Sequence, residues 1–271
     1  MSRSPDIRAE VTKAWRLLTA PLRAMPGFVI AGAPKCGTSS LYDCITAHPD
    51  VRRGLRKEPT NFIHYPGSHF RAAMNYPVRM PWKRFMVGDG SVEYFTHPDG
   101  PDNVREVVPN ARLIFILRDP VARAWSDYQM YRRAGTDTED FSQTVERAMR
   151  WLSDASLEPL VDAAARHAIH PARYVLCGMY ARALARWFDR FPREQCLVLF
   201  TEEFAADLDG TMAKVFAHLG LPPCSAGSCT RARHGGYREE MSPQTAAALR
   251  AFYEPHNDRL REMLGRDLPW R

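Results

Sequence analysis

The fold of this chain is decided by the stretch Phe28-Val29-Ile30-Ala31-Gly32-Ala33-Pro34-Lys35-Cys36-Gly37-Thr38-Ser39. Its first four residues form a short apolar run typical of a buried strand, and a helical pattern begins at Thr38. Between them lies a turn punctuated by Gly32 and Gly37. A helix that begins directly after such a turn offers an anion site, because free backbone N–H groups and the positive end of the helix dipole face the ligand. We call Gly32–Ser39 the anion loop.

Lys35 distinguishes the anion loop from an ordinary glycine turn, which would explain the glycines but not a lysine among only five in the chain. A P-loop of the ATPase type places its lysine directly before Ser or Thr. Here Lys35 lies inside the loop and Thr38 follows Gly37 directly, so the Mg²⁺-holding arrangement of an ATPase is not reproduced. A lysine at this position reaches the bridging region of a bound phosphoanhydride instead.

The rest of the chain alternates strand-like with helix-like patterns. Leu113–Leu117 and Cys196–Phe200 are continuous apolar runs, as expected for strands covered on both faces. Residues at helical spacing follow each run, and such alternation predicts parallel βαβ units. We therefore predict one α/β domain, residues 27–271, with a central parallel sheet flanked by helices and a P-loop-like anion loop after its first strand.

Residues 1–26 are predicted to form an N-terminal helical extension. Val11, Trp15, Leu18 and Leu22 fall on one helical face, so a short amphipathic helix is expected. We expect this face to pack on the domain, with binding to a membrane surface as the alternative. Basic residues interrupt the apolar ones, so the segment lacks the continuous apolar stretch of a signal peptide, and no segment of the chain resembles a membrane span.

Composition and charge leave several kinds of partner open. The chain has 271 residues, of which 45% are hydrophobic, as in ordinary globular proteins. Its 37 basic side chains exceed the 31 acidic ones, for a formal charge of +6, which is compatible with an anionic ligand, nucleic acid or membrane lipid. The arginines are spread along the whole chain rather than clustered with stacking aromatics, so we do not expect a nucleic-acid partner.

The six cysteines are scattered, which fits free buried thiols in a reducing cytosol better than a disulfide framework. Together with the lack of a signal peptide or span, this predicts a cytoplasmic protein. Cys224, Cys229 and His234 match no compact zinc finger, so no metal site is expected. The sequence does not fix the oligomeric state.

Two further segments carry residues suited to bind anions or move protons. Arg118 stands at the carboxyl end of the Leu113–Leu117 run, where open α/β sheets bind ligands. Ser126 lies about two turns into the following helix, so the two side chains could share one anion only if the ligand lies along that helix. Glu58, next to Lys57, could act as a general base for a hydroxyl, although spacing alone favours an ordinary loop residue.

In this order, the three segments resemble those of sulfotransferases that use 3′-phosphoadenosine 5′-phosphosulfate (PAPS). The resemblance is strongest to the branch of the heparan-sulfate glucosaminyl sulfotransferases and their bacterial relatives, and it runs from about Gly27 to the C-terminus. It implies that Lys35 stabilises the leaving oxygen of the donor and that Glu58 is the catalytic base. It also implies donor contacts from Lys35, Cys36, Gly37, Thr38 and Ser39 to the 5′-phosphosulfate, from Arg118 and Ser126 to the 3′-phosphate, and from Arg231, Arg233, His234 and Gly235 in a loop that closes over the nucleotide.

The chain departs from that branch at two positions. Thr60 stands where the branch often has a histidine, and Gly90 where it often has a lysine. These differences point away from a polysaccharide acceptor. The lack of a membrane anchor favours a cytosolic, bacterial enzyme that acts on a hydroxyl of a small molecule, such as a natural product or a glycan. The resemblance implies transfer of the sulfuryl group from PAPS with 3′,5′-ADP as the second product, and no metal is expected because Lys35 and the backbone dipoles supply the positive charge.

A P-loop-type kinase for small molecules or nucleosides is the alternative, and it would require Mg²⁺ and ATP. In either case an acceptor cleft is needed. We expect the aromatic-rich segment 60–100 to line it, with core packing as the alternative for some of its aromatic residues. The aromatic residues concerned include Phe62, Tyr65, Phe70, Tyr76, Trp82 and Phe85.

Overall fold

The computed structural model describes residues 7–69, 73–154, 172–224 and 239–270. Within these residues a five-stranded parallel sheet runs through the molecule in the order β2-β3-β1-β4-β5. This confirms the predicted α/β architecture with a central parallel sheet. The strands are β1 Phe28–Gly32, β2 Val51–Arg52, β3 Met86–Asp89, β4 Arg112–Leu117 and β5 Cys196–Phe200.

Helices cover both faces of the sheet, so β1 is buried throughout and β4 is buried after its first residue, Arg112. All five residues of β1 are buried, which explains why this strand is a continuous apolar run rather than an alternating one. Its neighbour β3 contributes Gly88 opposite Phe28, where a Cβ would come within 2.1 Å of the aromatic ring. A glycine is therefore required at this contact between the two strands.

The helices begin and end close to the predicted signals. Asp119 caps the helix after β4, since its carboxylate accepts a hydrogen bond of 2.9 Å from the Val121 N–H, and Pro120 is the first helical residue. The helices are α1 Ile7–Leu18, α2 Thr38–Thr46, α3 Asn61–His64, α4 Gly100–Val107, α5 Pro120–Arg133, α6 Phe141–Leu152, α7 Arg173–Leu176, α8 Tyr180–Arg190, α9 Thr201–Ala206, α10 Leu208–Leu219 and α11 Pro243–Leu264.

Two large apolar cores hold the described elements together, beside a small cluster of Ala24, Tyr76 and Val87. The first surrounds the sheet, where the Trp187 ring of α8 is fully buried and packs edge-on against the Phe115 ring of β4, with 5.3 Å between the ring centres. The second lies between α5, α6, α7 and α11 and includes Tyr128, Tyr174 and Tyr253. This second core fixes the position of α5, which carries Ser126.

The N-terminal helix differs from its prediction. Val11 and Trp15 are exposed, as are Leu18 at the end of α1 and Leu22 after it, so the expectation that this face packs on the domain is wrong. The physical reason is that an amphipathic pattern shows that one side of a helix is apolar but not what covers that side. The boundary at residue 26 stays a prediction.

The expectation of free thiols is met at four cysteines and wrong at a fifth. Cys36, Cys177 and Cys196 are free and buried, and Cys224 is free and exposed. Cys44 is disulfide-bonded. Disulfides persist in oxidising compartments, so the cysteines no longer support the predicted cytoplasmic location, which stays a prediction.

Neither a candidate membrane span nor a candidate metal cluster occurs in the described part of the chain. None of its helices is both long enough and apolar enough to cross a bilayer. It holds no group of three or more His, Cys, Asp or Glu side chains placed to share a metal ion. Cys229 and His234 lie outside the described residues.

Candidate active site

The predicted functional residues follow the carboxyl ends of parallel strands, which all meet at one edge of the sheet. The anion loop follows β1, Arg118 follows β4, and Lys57 and Glu58 come after β2. Ligand sites of open α/β sheets lie at this edge. The sheet order therefore brings together segments that are far apart in the sequence.

The anion loop ends in an open helix N-terminus. Gly37 is the N-cap of α2 with φ of 83°, a left-handed conformation that favours glycine, and no side chain caps the helix there. The first N–H groups of α2 consequently have no partner within the helix and remain donors for an anion. Lys35 also has a positive φ, 66°, which is uncommon outside glycine and typical of residues at ligand sites.

The Lys35 side chain extends towards α5. Its Nζ lies 3.3 Å from the thioether sulfur of Met130, and Lys35 is partly buried. Among the described residues it makes no ion pair, and a thioether cannot neutralise an ammonium. The Lys35 charge is therefore available to an anionic ligand of the loop.

Glu58 reaches the anion loop through Lys57. The Lys57 ammonium donates to the Ser39 hydroxyl at 2.6 Å and also forms an ion pair with the Glu58 carboxylate. Both side chains are partly exposed to solvent. Spacing alone favours an ordinary loop residue at Glu58, but the structure places this carboxylate beside the ammonium that contacts the first turn of α2.

A buried hydrogen-bond network centred on Asp89 supports the Lys57–Thr60 segment. Asp89, at the end of β3, is fully buried and accepts hydrogen bonds from the Tyr76 hydroxyl at 2.7 Å, the Tyr94 hydroxyl at 3.1 Å and the Ser91 N–H at 2.8 Å. Burial raises the pKa of Asp89. The Ser91 hydroxyl in turn accepts a hydrogen bond of 3.0 Å from the Thr60 N–H. Asp89 thus orders the loop that carries Glu58.

Sequence reasoning missed the role of Asp89, although a signal existed. Polar residues directly after a buried parallel strand lie at the ligand edge of the sheet, and Asp89 and Ser91 occupy that position. Gly90 lies between them, and its N–H donates to the Lys57 carbonyl at 3.3 Å.

Arg118 also contacts the anion loop. Its guanidinium donates to the Lys35 carbonyl at 3.4 Å, and its own carbonyl accepts a hydrogen bond of 2.9 Å from the Tyr180 hydroxyl of α8. Ser126 is buried two turns into α5, next in sequence to Asp127, whose carboxylate lies 3.1 Å from Arg123 in a fully buried ion pair. A shared anion at Arg118 and Ser126 remains a prediction.

Two residues that sequence reasoning overlooked connect the site to β5. The Thr201 hydroxyl lies 2.8 Å from the Cys36 carbonyl and 2.9 Å from the Leu117 carbonyl, so it joins the anion loop to the end of β4. Glu202 accepts a hydrogen bond of 2.9 Å from the Asp119 N–H, and burial raises the pKa of Glu202. The sequence feature that could have indicated Thr201 and Glu202 is their position directly after the buried strand β5.

Cys36 contributes to the anion loop through its backbone. Its thiol is fully buried, 3.7 Å from the Tyr180 hydroxyl, and burial raises the pKa of Cys36 to about 12. The thiol therefore points into the core and away from the open side of the loop. The predicted nucleotide loop with Arg231, Arg233, His234 and Gly235 lies outside the described residues.

The aromatic residues between 60 and 100 do not form one cleft. Phe62 and Tyr76 are fully buried in the cores, and Trp82 is exposed before β3, at the amino end of the strands. Phe70 lies outside the described residues. The expectation that these aromatics line an acceptor cleft is wrong for Phe62, Tyr76 and Trp82, because aromatic content does not reveal which face a side chain occupies.

A comparison with protein-family models assigns the chain to a family. The model of the sulfotransferase domain family matches residues 26–247. The chain belongs to the sulfotransferase family. Its predicted resemblance is thereby confirmed, and the kinase alternative is not supported.

Two relatives of this sulfotransferase are named for carbohydrate acceptors. It is 30% identical to mouse (Mus musculus) carbohydrate sulfotransferase 15 over 305 residues, which cover 90% of this chain and 54% of the relative. It is 28% identical to mouse heparan sulfate glucosamine 3-O-sulfotransferase 3A1 over 282 residues, or 94% of this chain and 66% of the relative. The chain thus spans about half to two thirds of the length of these relatives.

A solved bacterial structure has the same architecture over nearly its whole length. The sulfotransferase from Alicyclobacillus acidocaldarius is 28% identical and superposes with a TM-score of 0.67, covering 90% of this chain and 98% of the bacterial one. The arrangement of strands around the anion loop is therefore that of a sulfotransferase domain.

Proposed function

We propose that this sulfotransferase moves a sulfuryl group from PAPS to a carbohydrate hydroxyl and releases 3′,5′-ADP. The observation that carries the proposal is the contact between Lys57 and Ser39, which joins a carboxylate, Glu58, to an open helix N-terminus. Glu58, as the base for the acceptor, then lies next to the electropositive N-terminus of α2, which would bind the donor.

The anion loop suits the phosphosulfate end of PAPS. In the proposed complex the N–H groups at the start of α2 and the Thr38 and Ser39 hydroxyls donate to its oxygens. Lys35 has no competing carboxylate among the described residues, and it stabilises the negative charge that develops on the bridging oxygen as the S–O bond to the phosphate breaks. The proposal needs no metal ion, because Lys35, Lys57 and the helix N-terminus provide the positive charge.

Glu58 completes the reaction as the general base. The acceptor oxygen forms a bond to sulfur in line with the departing phosphate, and its proton passes to the Glu58 carboxylate. The sulfuryl group leaves PAPS and the phosphate keeps the electron pair of the broken bond. The partial exposure of Glu58 leaves it accessible to an acceptor.

In the proposed complex the 3′-phosphate of PAPS binds near Arg118 and Ser126. The Arg118 guanidinium already contacts the Lys35 carbonyl, so its positive charge lies next to the anion loop. Ser126 adds a hydroxyl on α5, and the basic residues Arg231 and Arg233 are proposed to close over the nucleotide.

The relatives, rather than the site, support the proposed acceptor class. Both mouse relatives are named for carbohydrate acceptors, which favours a sugar hydroxyl over the other small molecules considered. Thr60 and Gly90, which depart from the pattern of the heparan-sulfate branch, lie in the two segments next to Glu58. We therefore propose a short glycan or a glycosylated small molecule.

Titration calorimetry with 3′,5′-ADP, ADP and ATP tests the donor. We expect 3′,5′-ADP to bind at least about tenfold more tightly than ADP, because only it presents a 3′-phosphate to Arg118, and one charge-assisted contact is worth more than about 1.4 kcal/mol. Tighter binding of ATP with Mg²⁺ would contradict the proposal.

Transfer of labelled sulfate from PAPS to a panel of oligosaccharides and phenols tests the chemistry and the acceptor. Lys35→Ala should lower kcat by about 10²- to 10³-fold, the usual loss of one electrostatic donor, whereas Lys214→Ala, at an exposed lysine of α10, should not. Glu58→Gln should lose turnover and keep 3′,5′-ADP binding, with Glu146→Gln on α6 as the control. Lost binding in Glu58→Gln would make Glu58 structural, and turnover of phenols alone would exclude the carbohydrate acceptor.

A further inference from the structure

An apolar surface lies at the N-terminal end of the described chain. It consists of one face of α1 with Leu22 and the tip of the segment before β3, and its members are Val11, Trp15, Leu18, Leu22, Val78, Met80 and Trp82. We call it the N-terminal apolar surface. Trp15 is 61% exposed, Leu18 78% and Trp82 83%. Two exposed tryptophans and an uncovered helix face mark an interaction site rather than scattered surface residues.

The two halves of this surface are joined by backbone hydrogen bonds. The Arg79 N–H donates to the Leu22 carbonyl at 2.8 Å, and the Ala24 N–H donates to the Pro77 carbonyl at 2.9 Å. The buried Arg23 guanidinium donates to the Tyr76 carbonyl at 2.6 Å. Leu22 and the Val78–Trp82 tip therefore form one continuous surface.

The charge around the N-terminal apolar surface is one-sided. The segments 7–23 and 77–86 together contain seven basic residues and one acidic residue, Glu10. The basic residues are Arg8, Lys13, Arg16, Arg79, Lys83 and Arg84, besides the buried Arg23.

The basic charge next to the N-terminal apolar surface discriminates between the possible partners. A second copy of the chain would bring two strongly basic surfaces together, which is unfavourable. A sulfated polysaccharide would match the charge but offers nothing to cover Leu18, Leu22 and the tryptophans. A membrane with anionic lipids matches both, since basic side chains attract its headgroups while Trp and Leu enter the interface.

We propose that the N-terminal apolar surface docks this protein on anionic membranes. Both of its segments precede strands, β1 and β3, and so lie at the amino end of the sheet, whereas the anion loop and Arg118 lie at the carboxyl edge. Docking therefore leaves the active site open to solvent. The proposal rests on exposure and charge, and it does not depend on the proposed sulfuryl transfer.

Flotation of the full chain with phosphatidylcholine vesicles, with and without phosphatidylserine, tests this. We expect binding to the anionic vesicles only, weakened by salt. A variant with Trp15→Glu and Trp82→Glu should bind about tenfold less or weaker still, because binding scales with the apolar area inserted. Leu55→Glu, at an exposed leucine outside the surface, should bind like the unchanged protein.

Basic residues provide the second arm of the test. Arg79→Glu and Lys83→Glu should each reduce binding about fivefold or more, the equivalent of about 1 kcal/mol per basic residue near an anionic surface. Arg259→Glu on α11 is the control. All variants should keep the urea unfolding midpoint of the unchanged chain, which shows that they are folded.

Four outcomes would overturn the proposal. They are no flotation of the unchanged protein, equal flotation with neutral vesicles, an equal loss in Leu55→Glu, and a dimer in sedimentation equilibrium that Trp15→Glu and Trp82→Glu dissociate. The dimer would assign the surface to a second copy of the chain. A failure of PAPS turnover would leave the flotation result unchanged, so the two proposals fail separately.

Discussion

The Lys57 ammonium lies 2.6 Å from the Ser39 hydroxyl, which ties the segment of the proposed base to the first turn of α2. Lys57 also pairs with Glu58, so one side chain contacts both halves of the proposed reaction centre. If PAPS binds at the helix N-terminus as proposed, we expect the same ammonium to contact its sulfuryl oxygens.

Lys57→Met should therefore lower kcat by about 10²-fold, because it removes one placed positive charge from the transition state. We expect the affinity for 3′,5′-ADP, which lacks the sulfuryl group, to change much less. Steady-state kinetics with PAPS and calorimetry with 3′,5′-ADP separate the two effects. Lys57→Arg should restore part of the rate, and Lys214→Met serves as the control; a normal kcat in Lys57→Met would remove Lys57 from the mechanism.

Thr201→Val should weaken both the fold and donor binding. The substitution keeps the shape of the side chain but deletes the hydroxyl between the Cys36 and Leu117 carbonyls. We expect a loss of about 1–2 kcal/mol in the free energy of unfolding and weaker 3′,5′-ADP binding. Thr211→Val, at a buried threonine of α10, should affect stability without affecting the ligand. Unchanged affinity in Thr201→Val would show that the anion loop is held by other contacts.

Two buried tyrosines test the strength of the Asp89 network. The Tyr76 hydroxyl donates to the Asp89 carboxylate at 2.7 Å, whereas the Tyr253 hydroxyl donates to the Val175 carbonyl at 2.8 Å. Hydrogen bonds to charged groups are worth about 1.5–3 kcal/mol and neutral ones about 1 kcal/mol. Urea unfolding should show a larger loss for Tyr76→Phe than for Tyr253→Phe, and equal losses would mean that Asp89 is protonated in the folded chain.

His218 should make stability fall as the pH is lowered. Burial lowers the pKa of His218, whose ring lies 3.1 Å from the Leu113 carbonyl. The unfolded chain then takes up the proton first, so the contribution of His218 is present above the unfolded pKa of about 6.5 and is lost as the pH falls through and below it. The pKa of His256 is lowered in the same way by burial.

Urea unfolding between about pH 8 and about pH 5 measures this dependence. His218→Gln should lose less stability over this range than the unchanged chain, because glutamine does not titrate. His64→Gln, at an exposed histidine, provides the comparison. A pH dependence as steep in His218→Gln as in the unchanged chain would assign the effect to other groups.

The Cys44 disulfide predicts the number of reactive thiols. In the unfolded, unreduced protein four of the six cysteines should react with a thiol reagent. Cys44→Ser should expose five reactive thiols because it frees the partner, while Cys196→Ser, at a buried free thiol, should leave three. Reduction should lower stability by about 2–4 kcal/mol. Six reactive thiols in the unchanged chain would show that the disulfide does not form.

The local features of this protein could be predicted from its sequence. The apolar runs of β1, β4 and β5, the cap at Asp119 and the glycine turn before α2 depend on residues within a few positions of one another. The positions of Lys35 and Arg118 directly after strands follow from the same local patterns. For this reason the amino-acid sequence alone determined the α/β class, the anion loop and the family.

Only the tertiary structure decided which of these segments touch. Lys57 meets Ser39, Tyr76 meets Asp89 and Thr201 meets Cys36 because the strands are ordered β2-β3-β1-β4-β5 rather than in chain order. The same holds for the exposed face of α1, since an amphipathic pattern states that one side is apolar but not what covers it. Contacts between distant segments depend on packing of the whole chain, which hydrophobic periodicity and turn preferences do not encode individually.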